Sequence, residues 1–127
     1  VTTSPRWRPM LIDAVRLYGY AERCASVRAS GLTVLDVDEL PQREVRARLL
    51  AEAQQAITKD GAEVIVLGCA GMSGLDAELS ASLGAPVVDG VAAAVKIAEA
   101  LVACRLETSK LGTYHWASPR RAGVATT

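Results

Sequence analysis

Apolar positions along this chain change period from one stretch to the next, and each change of period marks an element. Residues 1–3 read as the end of a strand, after which Ser4 and Pro5 turn the chain. Leu11, Ala14, Val15 and Tyr18 then recur at helical spacing, which predicts a short amphipathic helix ending near Gly19. Residues 24–28 alternate as a strand does, Gly31 breaks the pattern, and residues 32–37 predict a second extended piece. Pro41 sits where a first helical turn tolerates it. Beyond it Val45, Leu49, Ala53, Ala56 and Ile57 form one apolar face opposite Arg43, Arg46, Glu52 and Lys59, up to a stop at Asp60-Gly61.

Residues 64–67 carry no charge and are rich in β-branching, the pattern of a strand buried on both faces. A shorter helix over 75–83 is stopped by Gly84, residues 86–88 form another strand, and Asp89 caps a helix from 90 to about 103. Strands that alternate with helices specify parallel βαβ units. The expected fold is therefore a three-layer α/β domain over residues 1–109. From Lys110 the periodicity fades, so residues 110–127 read as an irregular tail.

The chemistry collects where the apolar run at 64–67 stops. Gly68, Gly71 and Gly74 let the backbone turn and approach a ligand closely, with Cys69 at the strand's carboxyl end and Ser73 placed to cap a helix beginning near Gly74. Ligands of open α/β sheets bind outside those strand ends, where unpaired N–H groups favour negative charge. A cysteine on an apolar strand is ordinarily a small core residue. A core cysteine, however, has no need of glycines opening the backbone on both sides, and this favours a functional Cys69. Cys24, in a strand, and Cys104, at a helix end, lack such glycines and read as structural. Thr2 and Thr3 close a strand on the same sheet edge, so their hydroxyls can bond a ligand, although turn and capping duties are the commoner use.

Other chemistries fit less well. The glycines give G-x-x-G-x-x-G and not the dinucleotide G-x-G-x-x-G, and no G-K-[ST] follows them. His115 is the single histidine and lies in the tail, so no histidine-based metal site is expected, and no cofactor. The 14 basic and 14 acidic side chains of the 127-residue chain balance, leaving no electrostatic footprint for nucleic acid or an anionic membrane. A small molecule is the expected partner. Three cysteines match no zinc or disulfide framework, and no leader-like or membrane-spanning run occurs, so a cytoplasmic setting is expected.

The run V-L-G-C-A-G-M at 66–72, followed by P-V-V-D-G-V-A-A-A-V-K at 86–96, resembles the second half of the hydantoin and allantoin racemases of the aspartate/glutamate racemase superfamily. Thr108-Ser109-Lys110 with Gly112 and Tyr114, and the opening Val1-Thr2-Thr3, are similar to the T-S-K-x-G-x-Y and V-T-T of those enzymes. The resemblance implies the second half of a two-domain architecture and racemisation next to a carbonyl without metal, pyridoxal phosphate or nucleotide. It makes Cys69 one of two catalytic cysteines, and the N–H groups of Ala70 and Gly71 holders of the substrate oxygen. It also turns Thr2 and Thr3 toward the ligand. The opposing cysteine would come from a first domain for which this chain has no counterpart, so a partner domain or a homo-oligomer is expected. A noncatalytic binding module or a fragment is the alternative.

Overall fold

The computed structural model describes residues 1–112 and 115. Its elements are α1 (Arg8–Leu17), α2 (Val34–Glu39), α3 (Gln42–Asp60), β1 (Ile65–Leu67), α4 (Asp76–Leu83), β2 (Val87–Asp89) and α5 (Gly90–Ala103), with short 3-10 turns at Pro5–Trp7, Ala21–Arg23 and Ala70–Met72. The chain divides into two compact units, Val1–Lys96 and Ile97–Thr127. The sheet and the candidate site described below lie in the first. Among the described residues no helix is long and apolar enough to cross a membrane.

β1 and β2 are parallel, with Ile65 opposite Val87 and Leu67 opposite Asp89. Backbone hydrogen bonds carry the ladder two steps further. The Val1 amino group donates to the Val66 carbonyl at 2.7 Å and the Gly68 N–H to the Val1 carbonyl at 2.8 Å, so residues 1–3 run beside β1. On their other side the Thr2 N–H donates to the Arg28 carbonyl at 2.8 Å and the Ser30 N–H to the Thr2 carbonyl at 2.9 Å, a parallel bridge of Thr2 with Ala29. The order across this α/β sheet is residues 28–30, residues 1–3, β1, β2. As expected of parallel strands, the connections are helical.

The long helix α3 buries Val45, Leu49, Ala53 and Ala56, the face the spacing predicts, against Ile65 and Leu67 of β1. Each such buried Val, Leu or Ile side chain contributes about 1.5–3 kcal/mol. The same alternation sends Val64 and Val66 to the other side, where they remain 49% and 54% exposed. Burial on both faces was the expectation for this strand, and it is met on one face only.

Two further expectations are corrected. Residues 32–37 are not extended: α2 occupies most of them. The Thr33 hydroxyl accepts from the Asp36 N–H at 3.1 Å and the Asp36 carboxylate from the Thr33 N–H at 2.6 Å, a reciprocal cap that outweighs the local β-branching. Ser73 does not cap α4, whose first turn begins beyond Leu75. Its hydroxyl serves Asp89 instead.

Edge and helix are clamped together by charge. Of the strand expected over 24–28 only the bridge of the neighbouring Ala29 with Thr2 forms. Arg28 beside it donates to both carboxylate oxygens of Asp60 at the end of α3, with Nη2 to Oδ1 at 2.9 Å, and reaches Glu52 at 3.3 Å. The Arg28 contact holds the Asp60 carboxyl down at about 2, and the Arg28 guanidinium is raised by the same bonds.

Candidate active site

Cys69 leaves β1 in an extended conformation (φ −143°, ψ 134°) and the chain then winds into the 3-10 turn Ala70–Met72. That turn closes through the Met72 N–H on the Cys69 carbonyl and the Ser73 N–H on the Ala70 carbonyl, both at 3.0 Å. Its hydrogen bonds therefore begin with Met72. The N–H groups of Ala70 and Gly71 belong to the opening of the turn, where backbone donors lack partners within the helix. Met72 is fully buried beneath the loop and anchors it.

Gly71 is small for a steric reason. A Cβ there would stand 3.3 Å from Val37 Cγ1 and 3.9 Å from the Cys69 sulfur. α2 thus backs the loop through Val37, and the bare backbone of Gly71 keeps the ground beside the thiol open. At Gly68 a Cβ would stand 3.2 Å from the Val1 carbonyl oxygen, so a side chain there would press on the strand pairing of residues 1–3. Cys69 itself is half-buried and packs against the cluster of Leu32, Val37 and Met72.

The ladder distinguishes the two threonines. With Val1 opposite Leu67, Thr2 stands opposite Gly68 and Thr3 opposite Cys69, about 4.8 Å away strand to strand. Opposed residues share a face of the sheet, so Thr3 lies on the face of Cys69 and Thr2 on the other. Both are packed in, at 1% and 2% exposed. The Thr3 carbonyl accepts from the Gly31 N–H at 3.0 Å and the Ser30 hydroxyl at 3.4 Å, which fastens this strand end to its neighbour.

A residue read from sequence only as a helix cap turns out to hold the loop as well. Asp89, 6% exposed, accepts through Oδ1 from the N–H groups of Val91 at 2.8 Å and Ala92 at 3.2 Å, capping α5 as expected. Through Oδ2 it accepts from the Ser73 hydroxyl at 2.6 Å and the Gly74 N–H at 2.9 Å. The Ser73 hydroxyl, then the Gly74 amide, hold its carboxyl at about 2 against the opposing effect of burial. One carboxylate thereby ties the far end of the cysteine loop to β2 and α5. The cue in the sequence was the pair of Ser73-Gly74 and Asp89-Gly90 at successive strand ends, but 16 residues separate them and only the register brings them together.

The other thiols are not part of this loop. Cys104 is exposed beyond α5. Cys24, five residues ahead of Ala29, lines a cleft at the amino-terminal edge of the sheet with Val1, and its thiol donates to the Ser26 carbonyl at 3.5 Å. Of the expected tail motif, Tyr114 falls outside the described residues, and Lys110 donates to the Thr108 hydroxyl at 3.0 Å. Among the described residues no group of three or more His, Cys, Asp or Glu side chains is placed to hold a metal ion.

Fold and loop together define a parallel α/β domain that presents a cysteine from a glycine loop at its strand ends. The Asp/Glu/Hydantoin racemase profile matches residues 1–98, and the chain belongs to that family. It is 52% identical over 125 residues to the hydantoin racemase of Rhizobium meliloti, covering 98% of this chain and 51% of that protein. Identity to the hydantoin racemase of Pseudomonas sp. (strain NS671) is 42% over 116 residues, covering 91% of this chain and 46% of that one. The solved allantoin racemase of Pseudomonas fluorescens superposes with a TM-score of 0.83 at 46% identity, covering 98% of this chain and 52% of that chain. That of Klebsiella pneumoniae superposes with a TM-score of 0.87 at 35% identity, covering 98% and 50%. The chain spans about half the length of the relatives it matches.

Proposed function

We propose that this chain supplies one face of a cofactor-independent racemase site of the hydantoin or allantoin type, with Cys69 as the acid/base. Inversion at a carbon next to a carbonyl needs a base on one face and an acid on the other. The Cys69 thiolate takes the Cα proton, and the electron pair of the broken C–H bond moves onto the carbonyl oxygen. A thiol on the opposite face then returns a proton to Cα, leaving Cys69 protonated and its partner ionised for the reverse sense. The N–H groups of Ala70 and Gly71 meet the developing oxyanion, a contribution of about 3–4 kcal/mol per donor. Thr3, beside Cys69, orients the substrate's polar edge, and Thr2 supports the same strand end from the other face. The substrate is a small molecule, a hydantoin, allantoin or amino-acid derivative whose enolate is delocalised. The second thiol comes from a companion half or from another copy of the chain.

The observation that carries this reading is the placement of Cys69: a half-buried thiol held on a loop that Gly71 keeps open, next to two N–H groups at the start of a turn. Its test is polarimetry on a 5-substituted hydantoin, using this chain fused behind the first half of a hydantoin racemase relative. Cys69→Ser is expected to slow racemisation by about 10²- to 10⁴-fold, the usual range for a positioned acid/base. A variant that racemises at the parent rate would sink the assignment.

A further inference from the structure

Resting on the racemase reading of the site, we infer that Ser73 is a positioning residue: tied by its hydroxyl to Asp89, it sets the direction of the Gly71 N–H beside Cys69. The link runs through the peptide planes of the turn. Its peptide bonds are trans, and in a planar trans peptide the C=O and the N–H point in opposite directions. The Met72 N–H donates to the Cys69 carbonyl and the Ser73 N–H to the Ala70 carbonyl, both at 3.0 Å. The first bond therefore aims the Ala70 N–H away from the turn, and the second aims the Gly71 N–H the same way. Whatever fixes Met72 fixes the first donor, and whatever fixes Ser73 fixes the second.

The two anchors differ in kind. Met72 is fully buried, so packing holds it. Ser73 is exposed and has no such packing. It is gripped instead by one atom of β2: Asp89 Oδ2 accepts from its hydroxyl at 2.6 Å and from the next amide, that of Gly74, at 2.9 Å. The same oxygen thus holds the serine by its side chain and by the peptide that follows it, which constrains its backbone at φ −60°, ψ 139°. Asp89 is a firm anchor, buried, paired opposite Leu67 in the ladder, with Oδ1 taken up by the Val91 and Ala92 N–H groups. A short hydrogen bond to an ionised carboxylate is among the stronger kinds, so its loss frees Ser73. With its hydroxyl spent on Asp89, the serine acts on the reaction through Gly71 and not by contact with substrate. Removing that hydroxyl leaves the cap of α5 and the Gly74 bond in place, which separates its effect on the site from the support Asp89 gives to the fold.

Residual dipolar couplings, which report the direction of each N–H, test this by NMR on the chain and its Ser73→Ala and Ser73→Thr variants. Ser73→Ala is expected to shift the Gly71 coupling by several hertz while those of Ala70 and α3 hold. Ser73→Thr, whose hydroxyl the extended backbone accommodates, should keep the parent value. An unchanged Gly71 coupling in Ser73→Ala would overturn the inference, as would a shift spread equally over α3, the mark of general loosening. In the fused two-half protein Ser73→Ala should lower kcat about tenfold with KM within about twofold, short of the roughly 10²- to 10³-fold of an oxyanion donor lost outright. Ser73→Thr should restore it. A loss carried by KM alone, or a threonine variant as slow as the alanine, would also overturn the assignment. The couplings need no turnover, so their failure would strike Ser73 alone, whereas racemisation at the parent rate by Cys69→Ser would strike the racemase reading.

Discussion

Asp89 is held by four hydrogen bonds, and two of them run to the loop that carries Cys69. Its carboxyl titrates at about 2 in the folded chain against an ordinary 3.8. A depressed folded pKa means that the folded state prefers the ionised form. The resulting stabilisation is present above the unfolded value, at about pH 4, and is lost as pH falls through about 2. Asp89→Asn should therefore unfold at a lower urea concentration than the parent at pH 7, with the gap closing between about pH 4 and 2. A gap of constant size across that window would show that the charge on Asp89 is not what holds the loop. The helix-capping half of this role was legible from a carboxylate just ahead of an apolar run. The loop-holding half was not, because it depends on the pairing of Leu67 with Asp89.

At the scale of elements, the reading of α3 from its apolar spacing succeeded because one face of a 19-residue helix repeats often enough to be unambiguous. α2 was missed for the opposite reason. Its six residues contain Val34, Leu35 and Val37, which look extended, and the deciding signal was Thr33 followed three residues later by Asp36. A carboxylate at that position had greater weight than the side chains between. Since α2 supports Gly71 through Val37, its cap bears on the site. Thr33→Ala is expected to cost about 1 kcal/mol, typical of a lost N-cap, measured by urea denaturation. A loss below about 0.3 kcal/mol would place the support of α2 in packing alone. The expectation of a strand buried on both sides failed because β-branching reports strand propensity and says nothing of what covers each face. Val64 and Val66 answer that only in three dimensions.

For the molecule as a whole, the α/β class and the position of Cys69 at a strand end followed from the alternation of elements and the glycines around it. The distinction between Thr2 and Thr3 did not, since adjacent residues of a strand become different only when a register is known. The central claim is that Cys69 works on one face of the substrate. Solvent-deuterium incorporation at Cα tests it most directly, followed by NMR on each pure enantiomer of a 5-substituted hydantoin with the fused two-half protein and its Cys69→Ala variant. The variant should lose exchange of one enantiomer by about 10²- to 10⁴-fold, while the opposing thiol still exchanges the other. Equal rates for the two enantiomers in that variant, whether both retained or both lost, would contradict it.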